Sequence, residues 1–227
     1  PETIPKNVED QINAIVISVK NRVPSGNKLA LLSHMHDILY DEQAYHMNPE
    51  APFKIEAQSI HNALEESSGS YSVLAVIYYE VARRLGLDVH AISLPFFMMV
   101  AVNVGGTLYV DVDTGRHMSI PELKEAVRLS DAKWDDRMLT PIDSRQWIAR
   151  ILQTSIRIAN KSQDYTMLGA LAELDILLYP EHYPLQKDLA SIYASMGHKD
   201  QAKSVLEELK VHQPNDPDVE SRLAALA

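Results

Sequence analysis

The sequence contains no cysteine. That excludes disulfides, thiolate zinc sites and a cysteine nucleophile, and it suits a reducing compartment. Basic residues are outnumbered, 21 Lys and Arg against 31 Asp and Glu, for a formal net charge of −10. A surface of that sign argues against bulk binding to nucleic acid or anionic lipid. No apolar run reaches the roughly 20 residues of a membrane-spanning helix. The opening PETIPKNVED has neither a basic region nor an apolar core, so it does not read as a signal peptide. On these grounds a cytoplasmic location is expected. Also missing are a glycine-rich phosphate loop between strand and helix, a His-Glu-x-x-His helix and an aspartate-rich calcium loop. No cofactor and no metal is expected. His34 and His36 stand two apart, on different faces of a helix, which is the wrong spacing for a ligand pair.

What is present is organised around Gly69 to Leu87. Ser70 or Ser72 can cap a helix whose Val73, Leu74, Val76, Ile77, Val81 and Leu85 cover more than one face, so the helix is expected to be enclosed. Arg83 and Arg84 suit its last turn, and Gly86 its left-handed stop. Upstream, Ile12, Ile15, Val16 and Val19 recur at helical spacing, and a second helix is read from about Lys28 to Tyr40. Asn48-Pro49 and Ala51-Pro52 mark a loop, and a short helix is read over about 56–66. After Leu87 the period changes. Val89 to Ile92 is β-prone. The apolar run Phe96 to Val104 and the run Thr107 to Asp113 are joined by Gly105-Gly106, a hairpin signal. Ser119 and Glu122 form a capping box for one more helix. Residues 131–144 are polar and read as a linker or docking segment.

From about Ser144 the chain is all helical and repetitive. Pro180 and Pro214 lie 34 residues apart. Leu189, Tyr193, Gly197, Ala202, Leu206, Leu209 and Pro214 resemble, in register, the tetratricopeptide repeat. A degenerate copy spans about 149–182, with Gln163 where the turn glycine would stand. Asp216-Pro217 opens a capping helix, aspartate as N-cap and proline in the first helical position.

Together the two halves resemble the SirB-type transglutaminase-like family. The resemblance rests on His-Asp-Ile-Leu-Tyr-Asp-Glu (36–42), Ser-Gly-Ser-Tyr-Ser-Val-Leu (68–74), Tyr-Glu-Val-Ala-Arg-Arg-Leu-Gly-Leu (79–87), Leu-Pro-Phe-Phe (94–97) and Val-Asp-Val-Asp-Thr-Gly (110–115). It implies an α+β protein: a papain/transglutaminase-like core of helices plus a small antiparallel sheet over 1–143, then an all-α tetratricopeptide-like module over 144–227. Related enzymes use a Cys at the start of the central helix, a His on the next strand and an Asp on the strand after. The helix terminus favours a thiolate, the His moves the proton, and the Asp orients the His. By the resemblance those positions fall on Tyr71, Phe97 and Asp111. Two of the three are replaced by residues that cannot do the chemistry.

Two function classes follow. The first is a non-catalytic scaffold that binds a protein or peptide through the helical module. Gln153, Arg157, Asn160, Lys187 and Ser191 are expected on its concave face. There Arg157 and Lys187 would suit an acidic or C-terminal carboxylate segment. The second is a hydrolase or acyl-transfer enzyme rebuilt around Ser70 or Ser72, with His90 or His117 as base. Phe96, Phe97, Met98 and Met99 would fill the cleft that such an enzyme needs.

Overall fold

The computed structural model describes residues 6–51, 53–95 and 97–226. Phe96, expected among the residues that fill the cleft, lies outside them. Helix α1 (Lys6–Arg22) buries Val8, Ile12, Ile15, Val16 and Val19, the stripe its spacing predicts. Helix α2 (Lys28–His36) starts where Asn27 Oδ1 accepts from the Ala30 amide at 3.0 Å. The expected helix to Tyr40 does not continue as α. From Asp37 to Glu42 it widens into a π-helix. Ile38 and Leu39 are both buried there, while the Tyr40 hydroxyl reaches across to donate to the Val112 carbonyl at 3.3 Å. Such wide turns re-aim side chains that a 3.6-residue turn would place elsewhere.

Strand β1 (His46–Met47) pairs in parallel with β2 (Ser68–Gly69), a two-residue ladder too short to leave a period in sequence. Between them lie a 3-10 turn (Glu56–Gln58) and α3 (Ile60–Glu66), separated by Ser59, whose Oγ caps Asn62. Helix α4 (Tyr71–Arg84) then runs through the core, burying Val73, Leu74, Ala75, Ile77, Tyr78, Val81 and Ala82. Each fully buried branched aliphatic or aromatic side chain there contributes roughly 1.5–3 kcal/mol relative to exposure.

Four antiparallel strands follow in the order β3 (Asp88–Leu94), β4 (Phe97–Asn103), β5 (Thr107–Val110) and β6 (His117–Met118). The apolar run of β4 is explained by cover on both faces. Met99 and Ala101 join Ile92, Leu94 and the α5 (Ile120–Leu129) residues Leu123 and Val127 in one cluster. The alternating Met98, Val100 and Val102, also buried, lie on the opposite face, the side of α4. The capping box at Ser119 and Glu122 forms as expected. Residues 130–143 dock rather than dangle. Trp134, Met138 and Leu139 pack on the same cluster, and the Ile142 amide donates to the Ala91 carbonyl at 3.0 Å.

The chain divides into two compact units, 1–147 and 148–227, so the division falls within the opening of α6 (Ser144–Ser162). Trp147 explains this. Its indole donates to the Ser72 carbonyl at 3.3 Å, and its ring meets Tyr79 edge-on with centroids 5.4 Å apart, which ties the first turn of α6 to the first unit.

The second unit adds α7 (Tyr165–Leu178), α8 (Tyr183–Ser195), α9 (Lys199–His212) and α10 (Pro217–Ala225) to the rest of α6. Ala159, Leu168, Ala172, Leu189, Tyr193 and Ala202 form its inner cluster. Ala190, Leu206, Leu209 and Val219 form the next. Gly197 turns α8 into α9 at φ +77, and Gln163 turns α6 into α7 at φ +56. The same left-handed joint is thus made once by glycine and once by a residue that strains to adopt it.

Candidate functional site

The start of α4 is where the sequence places its chemistry. Ser70 is the N-cap, its Oγ accepting from the Val73 amide at 3.4 Å. Tyr71 follows, half-buried, with its ring centroid 5.9 Å from that of Phe97 at the start of β4. Burial, reinforced by the negative charges of Asp111 and Asp113, pushes the Tyr71 phenol up to about 12. It therefore keeps its proton at neutral pH and can donate but not attack.

Asp111 sits just beyond β5 and is engaged in its own turn. Its Oδ1 accepts from the Asp113 amide and its Oδ2 from the Thr114 hydroxyl, each at 3.0 Å. Asp113 Oδ1 accepts from the Met47 amide at 2.6 Å, which ties β1 to this turn. Gly115 closes it at φ +70, and a Cβ there would lie 2.4 Å from the Tyr40 ring. Both the backbone angle and the ring require glycine.

The serines do not meet a base. Ser70 and Ser72 are each only 7% exposed. Among the described residues, no hydrogen bond joins either one to a histidine. His90 Nε2 lies 3.0 Å from Asp88 Oδ1 on β3. His117 packs its ring against that of His36 at 5.6 Å.

Beneath this turn is a polar cluster that sequence reasoning missed. Tyr78, 1% exposed, has its hydroxyl 2.7 Å from His36 Nε2. The rings of Tyr40, Tyr78 and His117 all lie 5.6 Å from that of His36. Burial, and then the neighbouring His117, lower His36 to about 4, with Asp37 opposing. His36 is thus neutral at pH 7. The sequence carries only a local hint, the four-residue spacing of His36 and Tyr40, and none for Tyr78, 42 residues further on.

The second candidate lies in the helical unit. A cleft of about 370 Å³ opens between α6, α7 and α8. Ile156, Leu168, Leu185 and Ile192 give it apolar walls, and Asn160, Tyr165, Asp188, Ser191 and Ser195 supply polar groups. Of the five residues expected on a binding face, Asn160 and Ser191 meet here. Gln153 and Arg157 are exposed but outside its lining, and the Arg157 guanidinium donates to Thr154 Oγ1 at 3.2 Å. Lys187 departs from expectation. It pairs with Asp216 at 2.5 Å and Asp218 at 3.3 Å, the N-cap and first turn of α10. Helix α10 thus supplies both carboxylates that hold this lysine.

A family profile described as the transglutaminase-like superfamily matches residues 6–153. The chain belongs to the transglutaminase-like superfamily. The superfamily match covers the first unit and the opening of α6. Two UPF0162 proteins of Xylella fastidiosa are similar. That of strain 9a5c is 28% identical over 176 residues, 74% of this chain and 63% of the relative. That of strain Temecula1 / ATCC 700964 is 26% identical over 190 residues, 80% of this chain and 68% of the relative. The chain thus spans under two thirds of the first relative's length. No solved structure matched it. Among the described residues no helix is long and apolar enough to cross a membrane, and no cluster of His, Cys, Asp and Glu could hold a metal ion.

Proposed function

We propose that this is a non-catalytic, SirB-type member of the transglutaminase-like superfamily, and that it acts by binding a segment of a protein partner in the cleft of a tetratricopeptide-like helical unit. The observation that carries the proposal is the pairing of Tyr71 with Phe97, two rings packed where the resemblance sets a nucleophile and a base. A protonated phenol beside a phenylalanine has nothing to take or relay a proton, and Asp111 is spent on its turn. The paired left-handed joints at Gln163 and Gly197, and the small Ala172 and Ala202 in the inner cluster, support the tetratricopeptide-like reading.

The test has two arms. The intact protein and its Ser195→Trp variant, which fills the cleft from its rim, are used to capture partners from cell extract, with quantitative mass spectrometry as readout. Proteins retained by the wild type and lost with Ser195→Trp are the expected result. In the second arm the protein is treated with a fluorophosphonate. Covalent labelling mapped to Ser70 or Ser72 would overturn the non-catalytic reading.

A further inference from the structure

We infer that the cleft between α6, α7 and α8 selects a segment carrying a positively charged side chain, an extended peptide with Lys or Arg between apolar residues. The inference rests on the docking role proposed above and specifies its chemistry. It reverses the charge expected from sequence, and the reversal comes from which groups are already engaged.

Asp188 is the only ionisable carboxylate or cationic side chain among the described residues that line the cleft. It is exposed and has no ion-pair partner among the described residues. Its neighbour Lys187, one residue earlier on α8, is held by Asp216 and Asp218. Arg222 reaches the rim, with its Nη1 donating to Ser191 Oγ at 2.5 Å, but its Nε is paired with Asp218 Oδ1 at 3.0 Å. The two cations on the α10 side of the cleft, Lys187 and Arg222, are therefore held by carboxylates, and the one carboxylate in its lining is not. A ligand carboxylate would meet Asp188 unscreened, whereas a Lys or Arg head would complete it.

The remaining polar groups fit a peptide. Ser191 and Ser195 donate to the Lys187 and Ser191 carbonyls of their own helix at 3.2 and 2.9 Å, so they are internally satisfied. The Asn160 amide and the Tyr165 hydroxyl have no side-chain hydrogen bond among the described residues. A side-chain amide can both donate to and accept from an extended backbone, and the exposed Tyr165 ring in the same lining offers a cation–π surface. A cleft of about 370 Å³ is at the lower end for small-ligand sites, which suits two or three side chains and not a folded domain.

The experiment uses the full chain, immobilised, and a library of N-acetylated, C-amidated hexapeptides. Recovered peptides are then titrated by fluorescence anisotropy against wild type, Asp188→Asn and Ser195→Trp, with circular dichroism to verify that each variant is folded. The expected result is enrichment of Lys and Arg over Asp and Glu. Asp188→Asn should weaken binding about fivefold, as an exposed ion pair allows, and should reduce its salt dependence. Enrichment of acidic or uncharged peptides, or affinity unchanged in Asp188→Asn, overturns the charge inference and leaves the docking reading standing. If nothing is enriched above the Ser195→Trp background, both fall together.

Discussion

The start of α4 and the cleft of the helical unit are both places where a ligand could be sought, and they differ in what is left over. Around α4 several polar groups are engaged: Ser70 caps the helix, Asp111 and Asp113 tie turns together, and Tyr78 pairs with His36. In the cleft the Asn160 amide and the Asp188 carboxylate are left without side-chain partners. A satisfied polar network specifies a fold. Unsatisfied, solvent-facing groups over apolar walls are what recognition needs. The superfamily match reaches only the first of these regions and the opening of α6.

The comparison can be broken most severely at the turn below α4. Gly115→Val forces a left-handed β-branched residue and drives its side chain into Tyr40, so it should cost about 3 kcal/mol or more in urea unfolding. Acid should come next. Because burial lowers His36 to about 4, the unfolded chain binds a proton there that the folded one refuses between roughly pH 6.5 and 4. Stability is unaffected by this group above pH 6.5 and should fall by about 3 kcal/mol as pH drops to 4. Urea titrations of wild type and His36→Gln across that range should show the slope in the first and its loss in the second.

A smaller effect of opposite sign is expected in the helical unit. Asp175 is 3% exposed, and its Oδ1 has no hydrogen-bond partner. Burial raises its carboxyl above the usual range, with His182 opposing. Asp175→Leu should therefore raise the unfolding free energy by about 1–2 kcal/mol at pH 7. An unchanged or lowered midpoint would mean that this carboxylate is stabilising where it sits. The smallest change is Ser70→Ala, which removes the cap of α4 and should cost about 1 kcal/mol. If it also abolished an acyl-transfer activity, the contrast between a structural α4 start and the proposed docking cleft would collapse.

Local signals were legible along the chain. The apolar stripe of α1, the Ser70 cap, the Ser119–Glu122 box and the Gly105-Gly106 hairpin connection each formed where their residue types place them. These are short-range devices, decided within one turn or one connection. The two-residue ladder β1–β2 and the π-helix at Asp37 were not legible, because each depends on partners 20 or more residues away. The candidate sites divide the same way. Tyr71 and Phe97 stand at the starts of elements that sequence periodicity marks, whereas Asp111, read on a strand, lies just past the end of β5, and the His36–Tyr78 pair spans 42 residues with no local pattern to announce it.

By itself the sequence determined the periodicities, the caps and the absence of a thiol, since these follow from side-chain chemistry and backbone preference at single positions. Only the tertiary structure decided which charges are free. Arg157 and Lys187 read alike as exposed cations. Yet α10 folds back to give Lys187 two carboxylates and leaves Asp188 with none. Charge in a sequence is a count, whereas charge at a surface is what remains after every neighbour has been paired.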